Sequence, residues 1–497
     1  MSSKAACLAV LGTGSDVGKS IVTTALCRIL ADRGMRVAPF KAQNMSNNSG
    51  VTPEGLEMGR AQIVQAEAAR IPPHVDMNPV LLKPTSDVGS QVVLNGRAWL
   101  EASSKSYYQK KAYLWSQCCA ALDRLRSKYD VVVMEGAGSC AEVNLMADDI
   151  VNLRAADFAG APVILVADID RGGVFAQVVG TLACLAPAQQ EQIKGFLVNR
   201  FRGDIDLFKP GVDWIEQKTG KRVFGVLPWY DHFNIEAEDA VVIDAAENRS
   251  STRADSPAIA VIRLPHISNF NDFDPLANLD GLQLVYLKRP QPLKAYRAVI
   301  IPGTKSTRSD LAWLENNGWV AALREYAAEG GHLLGICGGY QMLGRRVIDP
   351  GGLEGPAGET AGLGLLPLET ELKAPKTTTR TVFAWNGIQG SGYEIHMGQT
   401  RRLNGRPLLS VLSRNRQACD DRDGCASPDG RVLGSYIHGL FDTPAITRCW
   451  LARIGLDHIK VDRRHGPVAR DHAYELLAEH TARHIDVDGM LDLIGTK

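Results

Sequence analysis

Residues 333–344 read Leu-Leu-Gly-Ile-Cys-Gly-Gly-Tyr-Gln-Met-Leu-Gly, a pattern that predicts a buried strand, a tight turn and a helix. The turn holds Cys337, with Gly335 and Gly339 two residues to either side. A nucleophile at the carboxyl end of a strand needs such a turn, because larger neighbouring side chains would collide with the adjacent backbone. The N–H group of Gly338, at the start of the helix, would face a developing oxyanion. The stretch therefore favours a catalytic cysteine over a buried structural one.

Two further strand ends supply groups that such a cysteine would need. Residues 432–441 read Val-Leu-Gly-Ser-Tyr-Ile-His-Gly-Leu-Phe, so a second apolar strand ends close to His438. An imidazole beside a thiol can accept its proton, hold the thiolate and later protonate a leaving amine. Residues 299–304 begin as a third apolar strand and end in Pro-Gly-Thr, where the N–H of Gly303 could complete an oxyanion hole.

These three segments resemble the class I glutamine amidotransferase domain, in which a cysteine attacks the side-chain amide of glutamine and ammonia leaves. The resemblance implies that Cys337 is the nucleophile and His438 the base, and that Gly303 and Gly338 donate to the oxyanion. The common members carry a glutamate two residues after the histidine, where it orients the imidazole, whereas this chain has Leu440. The branch that lacks this glutamate includes the cobyric acid and cobyrinic acid diamide synthases. The sequence leaves open which residue orients His438.

The amino-terminal region carries a second motif, a glycine-rich loop between a strand and a helix. Residues 5–11 predict a buried strand and residues 21–30 an apolar helix. Backbone N–H groups of such a loop cradle phosphates, while Lys19 would neutralise the terminal phosphates and Ser20 would reach Mg²⁺. The usual P-loop spacing has its first glycine at position 13, whereas this chain has Thr13 there and Gly12 one residue earlier. In this longer spacing the loop resembles that of dethiobiotin synthetase and its relatives. The predicted ATP-binding loop is Gly12-Thr13-Gly14-Ser15-Asp16-Val17-Gly18-Lys19-Ser20.

Polar residues follow further predicted strands of this region. Strands at residues 36–41, 130–134, 161–167, 194–198 and 222–227 alternate with helices, which predicts a doubly wound, parallel α/β sheet. Ligands of such a sheet collect at the carboxyl ends of its strands. Lys41 and Asn199 are predicted ATP contacts, the latter by reading a purine edge, and Glu135 is predicted to hold Mg²⁺ together with Ser20. The candidate substrate contacts are Asn44, Asn47, Asn48, Asp170 and Arg171.

A polar stretch without periodicity, residues 244–256, predicts a linker between two domains. It separates a P-loop domain, residues 1–243, from an α/β amidotransferase domain, residues 257–497. Within the first domain, residues 57–69 predict a helix. Within the second, short apolar runs and glycines between residues 363 and 412 indicate antiparallel strands. Residues 471–494 predict a helical tail that caps the second domain.

The composition excludes several classes of protein. The 497 residues include 55 Lys plus Arg and 55 Asp plus Glu, so the formal net charge is zero. Nothing in this balance favours a nucleic-acid or anionic-membrane partner. No apolar run reaches membrane-spanning length, and the ten cysteines lack the C-x-x-C spacing of a zinc ribbon. We expect reduced thiols, a cytoplasmic location and small-molecule partners, and a homo-oligomer stays compatible with the sequence.

The combination of the two domains resembles the cobyric acid synthases over essentially the whole chain, chiefly in residues 41–49, 57–69, 168–176, 335–344 and 435–441. The resemblance implies ATP- and glutamine-dependent amidation of peripheral carboxylates of a corrinoid, adenosylcobyrinic acid a,c-diamide, to give adenosylcobyric acid in cobalamin biosynthesis. The implied ligands are ATP with Mg²⁺, glutamine and the corrinoid.

Two alternatives to that function stay open. The first is a cobyrinic acid a,c-diamide synthase, which performs the same chemistry at other carboxylates. The second is a regulatory P-loop ATPase with an inactive glutaminase domain, against which the intact Cys337 and His438 argue.

Overall fold

The computed structural model describes residues 4–86, 89–230, 235–236 and 256–495. The predicted linker, residues 244–256, lies outside the described residues except for Ser256. Each half contains a six-stranded sheet of mainly parallel strands, which confirms the predicted α/β fold class. Within the ranges that the structure describes, no helix combines the length and the apolar character needed to cross a membrane.

The first half alternates strands with helices. Its strands are β1 (Ala6–Gly12), β2 (Val37–Phe40), β3 (Gln43–Met45), β4 (Ser49–Val51), β5 (Glu57–Gly59), β6 (Val80–Ser86), β7 (Gly89–Leu94), β8 (Arg97–Ser103), β9 (Val131–Glu135), β10 (Val163–Asp168), β11 (Ile193–Phe201) and β12 (Arg222–Pro228). Its helices are α1 (Lys19–Asp32), α2 (Arg60–Ala68), α3 (Ser104–Arg126), α4 (Leu153–Ala159), α5 (Val174–Ala183), α6 (Pro187–Gln192) and α7 (Lys209–Thr219).

The main sheet of this half is entirely parallel, with strand order β12-β11-β10-β1-β9-β2. Almost every residue of β1, β2, β9 and β10 is buried, as a sheet covered by helices on both faces requires. Because all strands run the same way, the loops that follow β1, β9, β10 and β11 meet at one edge. That edge carries the glycine-rich loop.

Two small sheets lie beside the main one. One contains β3, β6, β7 and β8, and the other pairs β4 with β5 so that Ser49 stands opposite Gly59. The helix predicted over residues 57–69 is therefore too long: Glu57–Gly59 belong to β5, and α2 begins at Arg60. The backbone of β4 hydrogen-bonds to these three residues, so their N–H and C=O groups are paired in a strand rather than in a helix.

The second half contains a parallel and an antiparallel sheet. Its strands are β13 (Ala258–Ile262), β14 (Gln283–Leu287), β15 (Tyr296–Ile301), β16 (Leu333–Ile336), β17 (Arg346–Asp349), β18 (Gly358–Ala361), β19 (Leu368–Trp385), β20 (Ile388–Arg402), β21 (Leu409–Arg414), β22 (Gln417–Asp423), β23 (Cys425–Ala426) and β24 (Val432–Ser435). Its helices are α8 (Asp274–Ala277), α9 (Thr307–Asn316), α10 (Trp319–Ala328), α11 (Gly338–Met342), α12 (Pro444–Arg453), α13 (Pro467–Ala482) and α14 (Val487–Asp492).

The sheet that carries the cysteine turn has the order β14-β13-β15-β16-β24-β23. Its strands are parallel except β23, which pairs antiparallel with β24. The second sheet joins β19 antiparallel to β20 and β21, and β21 to β22, which agrees with the strands predicted between residues 363 and 412. The strands β15, β16 and β24 are neighbours in this sheet, so the three segments predicted to form the cysteine site lie together at the edge where these strands end.

The carboxyl-terminal helices α13 and α14 pack against the first half, which corrects the expectation that the tail caps the second domain. Tyr474 and Met490 are buried in one apolar cluster with Leu26 of α1. The N–H of Asp486 donates to the carbonyl of Phe224 in β12 at 2.7 Å. The apolar face of a helix identifies which residues are buried, but not which of two sheets covers them.

Candidate active site

Cys337 stands at the turn between β16 and α11, with φ 51° and ψ −106°. Residues other than glycine seldom take a positive φ, and strained residues of this kind cluster at active sites. The glycines around Cys337 are required because backbone segments approach each other closely there. A Cβ on Gly335 would lie 2.6 Å from the backbone of Gly339. A Cβ on Gly339 would overlap the carbonyl of Ile301 in β15. The thiol lies 3.5 Å from the carbonyl oxygen of Ile395.

His438 follows β24, is 1% exposed and lies between the cysteine and a carboxylate. Its Nδ1 is 2.6 Å from one oxygen of Asp272, whose other oxygen accepts the N–H of Gly439 at 2.9 Å. Cys337 and this imidazole line the same small cavity, and Cys337 is among the groups that raise the pKa of His438. The three side chains have the order nucleophile, base and orienting carboxylate of a catalytic triad. Asp272 thus contacts the imidazole that a glutamate orients in the common members, whereas this chain has Leu440 at the sequence position of that glutamate.

The pKa of His438 depends on this carboxylate. Burial by itself lowers the pKa of an imidazole, but the charges of Asp272 and of a Cys337 thiolate, with their hydrogen bonds, outweigh it and raise the pKa of His438 to about 10. A protonated imidazole beside a thiolate is the charge state that can attack an amide and then protonate the leaving nitrogen.

Gly303 and Gly338 lie beside this triad. A Cβ on Gly303 would be 3.1 Å from Cε1 of His438, and a Cβ on Gly338 would be 2.6 Å from Cγ2 of Thr304. The structure therefore brings the four residues predicted from the second domain into one place. Their roles as nucleophile, base and oxyanion donors stay predictions.

Both halves of the chain build the cavity of about 40 Å³ beside the Cys337 thiol. Lys83 of β6 lines this cavity together with Lys305 and with Lys376 of β19. Nζ of Lys83 and Nζ of Lys376 lie 2.8 and 2.7 Å from the buried carboxylate of Glu57. The wall of the cysteine site thus includes Lys83 of the amino-terminal half.

The glycine-rich loop forms a second site at the carboxyl end of β1. Lys19 is the first residue of α1, and its Nζ donates to the carbonyls of Gly14 and Gly138 at 2.8 Å each. Oγ of Ser20 donates to Oε1 of Glu135 at 2.9 Å. An amine held inside such a loop, and a hydroxyl beside a carboxylate, are the groups that bind a phosphate chain and its cation.

Lys41 also reaches this site. Its Nζ lies 2.8 Å from Oε1 of Glu135, and the amide of Gln65 donates to the other carboxylate oxygen. Lys41 is 4% exposed and Glu135 is 1% exposed, so the two opposite charges balance each other within the protein. The structure thus joins four of the residues predicted to bind ATP or metal, with Gln65 as a neighbour to which the sequence assigned no role.

Asn199 packs against the loop at the end of β11. Its Nδ2 donates to the carbonyl of Val17 at 2.9 Å, and its Oδ1 accepts the N–H of Arg200 at 2.8 Å. Gly18 has a φ of 100°, and a Cβ at that position would overlap the Asn199 amide. In this structure Asn199 therefore supports the loop, and its contact with a purine edge stays a prediction.

Asp170 and Arg171 follow β10 and form ion pairs near the same loop. A carboxylate oxygen of Asp170 lies 2.6 Å from Nε of Arg202, and Arg171 lies 3.3 Å from the carboxylate of Asp16. The Arg171 side chain is 72% exposed, so its guanidinium is open to a ligand at the rim of the site. Contact of either residue with a substrate stays a prediction.

The asparagine-rich loop, residues 41–49, is largely buried. Asn44 and Asn48 are each 2% exposed, and Oδ1 of Asn47 is buried as well. Nδ2 of Asn44 donates to Gln62 at 3.0 Å, and Oδ1 of Asn48 accepts the N–H of Asn269 at 2.7 Å. Contact of Asn44, Asn47 or Asn48 with a substrate stays a prediction. The loop is polar because it lies at the junction of the two halves, where buried polar groups need partners.

Two residues of the cysteine site have no motif around them. Asp272 lies in the short helical turn Phe270–Phe273 that follows β13, and Asn269 precedes that turn. Nδ2 of Asn269 is 3.5 Å from Nε2 of His438. They lie 166 and 169 residues before His438 in the chain. The only signal for them in the sequence is a cluster of polar residues after a buried strand.

Known proteins resemble the chain over both halves. Residues 8–241 match the CobQ/CobB/MinD/ParA nucleotide binding domain, and residues 258–446 match the CobB/CobQ-like glutamine amidotransferase domain. A cobyric acid synthase from Chlorobium phaeobacteroides is 50% identical over 98% of this chain and 97% of its own length. The chain belongs to the cobyric acid synthase family. Cobyric acid synthases from Chlorobaculum tepidum and Chloroflexus aurantiacus are 50% and 48% identical, over 98% and 96% of this chain and the same shares of their own.

Membership in this family sets aside the regulatory alternative. The chain is a ligase with glutamine as its amido-nitrogen donor, and its two halves are a nucleotide-binding and an amidotransferase domain. These three relatives match over nearly their whole length and are cobyric acid synthases, which also favours this activity over that of a diamide synthase.

Proposed function

We propose that this chain converts peripheral carboxylates of adenosylcobyrinic acid a,c-diamide into amides, with ATP and glutamine, to give adenosylcobyric acid in cobalamin biosynthesis. The observation that carries the proposal is a complete Cys337, His438 and Asp272 triad in the same molecule as a P-loop with Lys19 in place. The corrinoid itself is inferred from the relatives, which are cobyric acid synthases.

The triad releases ammonia from glutamine. The Cys337 thiolate attacks the side-chain carbonyl of glutamine, and the N–H groups of Gly303 and Gly338 stabilise the oxyanion. The protonated His438 donates its proton to the nitrogen, so the C–N bond breaks and NH₃ leaves. Water then adds to the resulting thioester with His438 as base, which gives glutamate and returns Cys337 to the thiolate.

The P-loop activates the carboxylate that receives this ammonia. A carboxylate is a poor electrophile, so one of its oxygens first attacks the γ-phosphorus of ATP, and ADP leaves. Lys19 stabilises the charge that develops on the transferred phosphoryl group. Ammonia then attacks the acyl carbon, phosphate departs, and the nitrogen loses a proton to become the amide.

The residues at the P-loop fit Mg²⁺, because the hydroxyl of Ser20 and the carboxylate of Glu135 are oxygen ligands 2.9 Å apart and Mg²⁺ prefers oxygen. These two residues would hold the ion, and the bound ion would neutralise charge on the β- and γ-phosphates. Lys41 balances the charge of Glu135 in this structure.

Mass spectrometry of the product tests the proposed function. We expect a time course with the a,c-diamide, ATP and glutamine to show a ladder of products, each about one mass unit below the last because an OH becomes NH₂. Omission of ATP should stop the ladder. If cobyrinic acid without amides changes mass and the a,c-diamide does not, the activity is that of a diamide synthase.

The substitution Asp272→Asn tests the triad. We expect kcat/KM for glutamine hydrolysis to fall roughly 10²–10⁴-fold. General acid–base catalysis contributes a factor in this range, and the loss of a triad carboxylate corresponds to its upper end. Without the carboxylate, burial lowers the pKa of His438, so the proton needed by the leaving ammonia is lost at lower pH. The basic limb of the pH–rate profile should therefore move to lower pH. An unmoved basic limb would assign Asp272 a structural role only.

A further inference from the structure

Several large apolar side chains are exposed near the mouth of the P-loop. Within the described residues, most of the exposed large apolar side chains lie in the first half, between Met45 and Phe158. Met45 is 54% exposed, Tyr108 40%, Val143 62% and Leu145 43%. We call Met45, Tyr108, Val143 and Leu145 the apolar patch. An apolar surface of this kind, when its members adjoin one another, marks a place that a ligand or another protein covers.

Helix α3 carries Tyr108 to the same edge of the sheet as the glycine-rich loop. The carbonyl of Arg126, the last residue of α3, accepts the N–H of Ala5 just before β1 at 2.8 Å, so the two elements run in opposite directions. The 23 residues of α3 span about 34 Å, whereas the seven residues of β1 span about 23 Å. The first turns of α3 therefore extend past the carboxyl end of β1.

The loop that follows β9 carries Val143 and Leu145 to this edge as well. The N–H of Cys140 in that loop donates to the carbonyl of Gly12, the last residue of β1, at 3.0 Å. Val143 and Leu145 come three and five residues later and are exposed. They therefore lie beside the glycine-rich loop, and their side chains face solvent.

Lys111 joins Tyr108 to Leu145. Its Nζ lies 5.0 Å from the centre of the Tyr108 ring and donates to the carbonyl of Asp148 at 2.6 Å. The N–H of Asp148 in turn donates to the carbonyl of Leu145 at 3.1 Å. The aromatic ring and the leucine thus lie on either side of one ammonium group.

Strand β3 adds Met45. The hydroxyl of Tyr107 on α3 donates to Oε1 of Gln43 on β3. Gln43 and Met45 are two residues apart in the strand, so their side chains lie on the same face. Met45 therefore faces the first turns of α3, four residues after Lys41, which contacts Glu135 at the P-loop.

We propose that the apolar patch binds one face of the corrin ring, so that a carboxylate at the edge of the ring reaches the phosphate chain held by Lys19. This inference rests on the proposed function, because the carboxylate that is activated there belongs to the corrinoid. A corrin ring is broad, its faces are largely apolar, and its carboxylates lie at its periphery. When one of its edges meets the P-loop, a face must cover the side chains beside that loop.

The chemistry of the patch suits a substrate that is amidated at more than one carboxylate. Apolar contacts are non-directional, so the ring can turn on the patch and present another carboxylate with the same contact area. Hydrogen bonds depend on angle and would favour a single orientation. Lys111 has three N–H donors and uses one for Asp148, so it can also attract a carboxylate of the ring.

The substitutions Tyr108→Ser and Leu145→Ser test the patch, because serine removes most of the apolar surface at positions that are exposed. The Kd for adenosylcobyrinic acid a,c-diamide is measured by equilibrium dialysis, with the coloured corrinoid followed by its absorbance. We expect this Kd, and the KM for the corrinoid in amidation, to rise several-fold in each variant and roughly 10-fold or more in the double variant. The KM for ATP and the glutaminase rate should stay near those of the wild type.

Two matched controls remove the same side chains elsewhere. Leu412→Ser changes a leucine that is 41% exposed on β21 of the antiparallel sheet. Tyr113→Ser changes a tyrosine that is 49% exposed on another face of α3, where its ring lies 5.5 Å from that of Trp99. Both variants should keep the wild-type Kd for the corrinoid.

A wild-type Kd for the corrinoid in the double variant, with the KM for ATP unchanged, would overturn this inference. If the double variant keeps that Kd and sediments as a smaller species than the wild type, the patch is instead a contact between copies of this chain, and the inference is wrong. If the wild type forms no amide from the a,c-diamide with either nitrogen source, the proposed function itself fails. A wild type that amidates the a,c-diamide, beside a double variant with unchanged Kd, rejects the patch alone.

Discussion

The substitution Cys337→Ala should abolish amidation supported by glutamine and leave amidation supported by ammonium intact. In the proposed function the Cys337 thiolate forms the covalent intermediate, so its loss should reduce the glutamine-supported rate by roughly 10⁴-fold or more, as for other members of a catalytic triad. In the proposed function, carboxylate activation takes place at Lys19 and Glu135 in the other half of the chain. Rates with each nitrogen source, measured on the same preparation, separate the two effects.

The control for this experiment is Cys419→Ala, because Cys419 is exposed and lies on β22 of the antiparallel sheet. It should keep both activities. His438→Ala should behave like Cys337→Ala, with residual glutaminase activity if some thiolate forms without the base. Loss of ammonium-supported amidation in a folded Cys337→Ala variant would contradict the proposed separation of the two sites.

The substitution Lys19→Ala should remove amidation with both nitrogen sources together. Nζ of Lys19 donates to the carbonyl of Gly14 in the glycine-rich loop and to that of Gly138 after β9. Its charge would stabilise the transferred phosphoryl group, and we expect the loss of that charge to cost on the order of 10³-fold or more in rate. The measurement is the amidation rate with glutamine and, separately, with ammonium.

The reactivity of Cys337 towards a thiol-directed glutamine analogue is the internal control for Lys19→Ala, since the cysteine site should stay intact. A second control is Lys4→Ala, which removes an exposed amine paired with Asp123 near the start of β1. It should leave both amidation rates unchanged. Ammonium-supported amidation at the wild-type rate in Lys19→Ala would remove this lysine from carboxylate activation.

Short stretches of sequence were sufficient to predict both sites. The strand, turn and helix around Cys337 are specified by residues 333–344, and the strand, loop and helix around Lys19 by residues 5–30. In each case the backbone geometry depends on neighbours within a few residues, such as glycines where a Cβ would collide. The alternation of strands and helices then predicted that these turns lie at the edges of parallel sheets.

The helical tail and the asparagine-rich loop show where such local patterns were insufficient. The pattern of α13 predicts an apolar face, but the structure places that face against α1 of the first half. The polar residues at Asn44 and Asn48 were compatible with an open loop, whereas the structure buries them at the junction of the halves. In both cases the local conformation is encoded nearby, and the surface that covers it comes from a distant segment.

The sequence by itself determined the fold class, the cysteine turn, the P-loop and the histidine that pairs with the cysteine. The tertiary structure alone decided that Asp272 orients His438, and that Gln65 donates to Glu135 beside the P-loop. Nucleophile turns and phosphate loops are made by adjacent residues, so their spacing is visible in the chain. A carboxylate 166 residues away meets its imidazole only because the order of β13, β15, β16 and β24 in the sheet brings their carboxyl ends together, and no sequence spacing records that order.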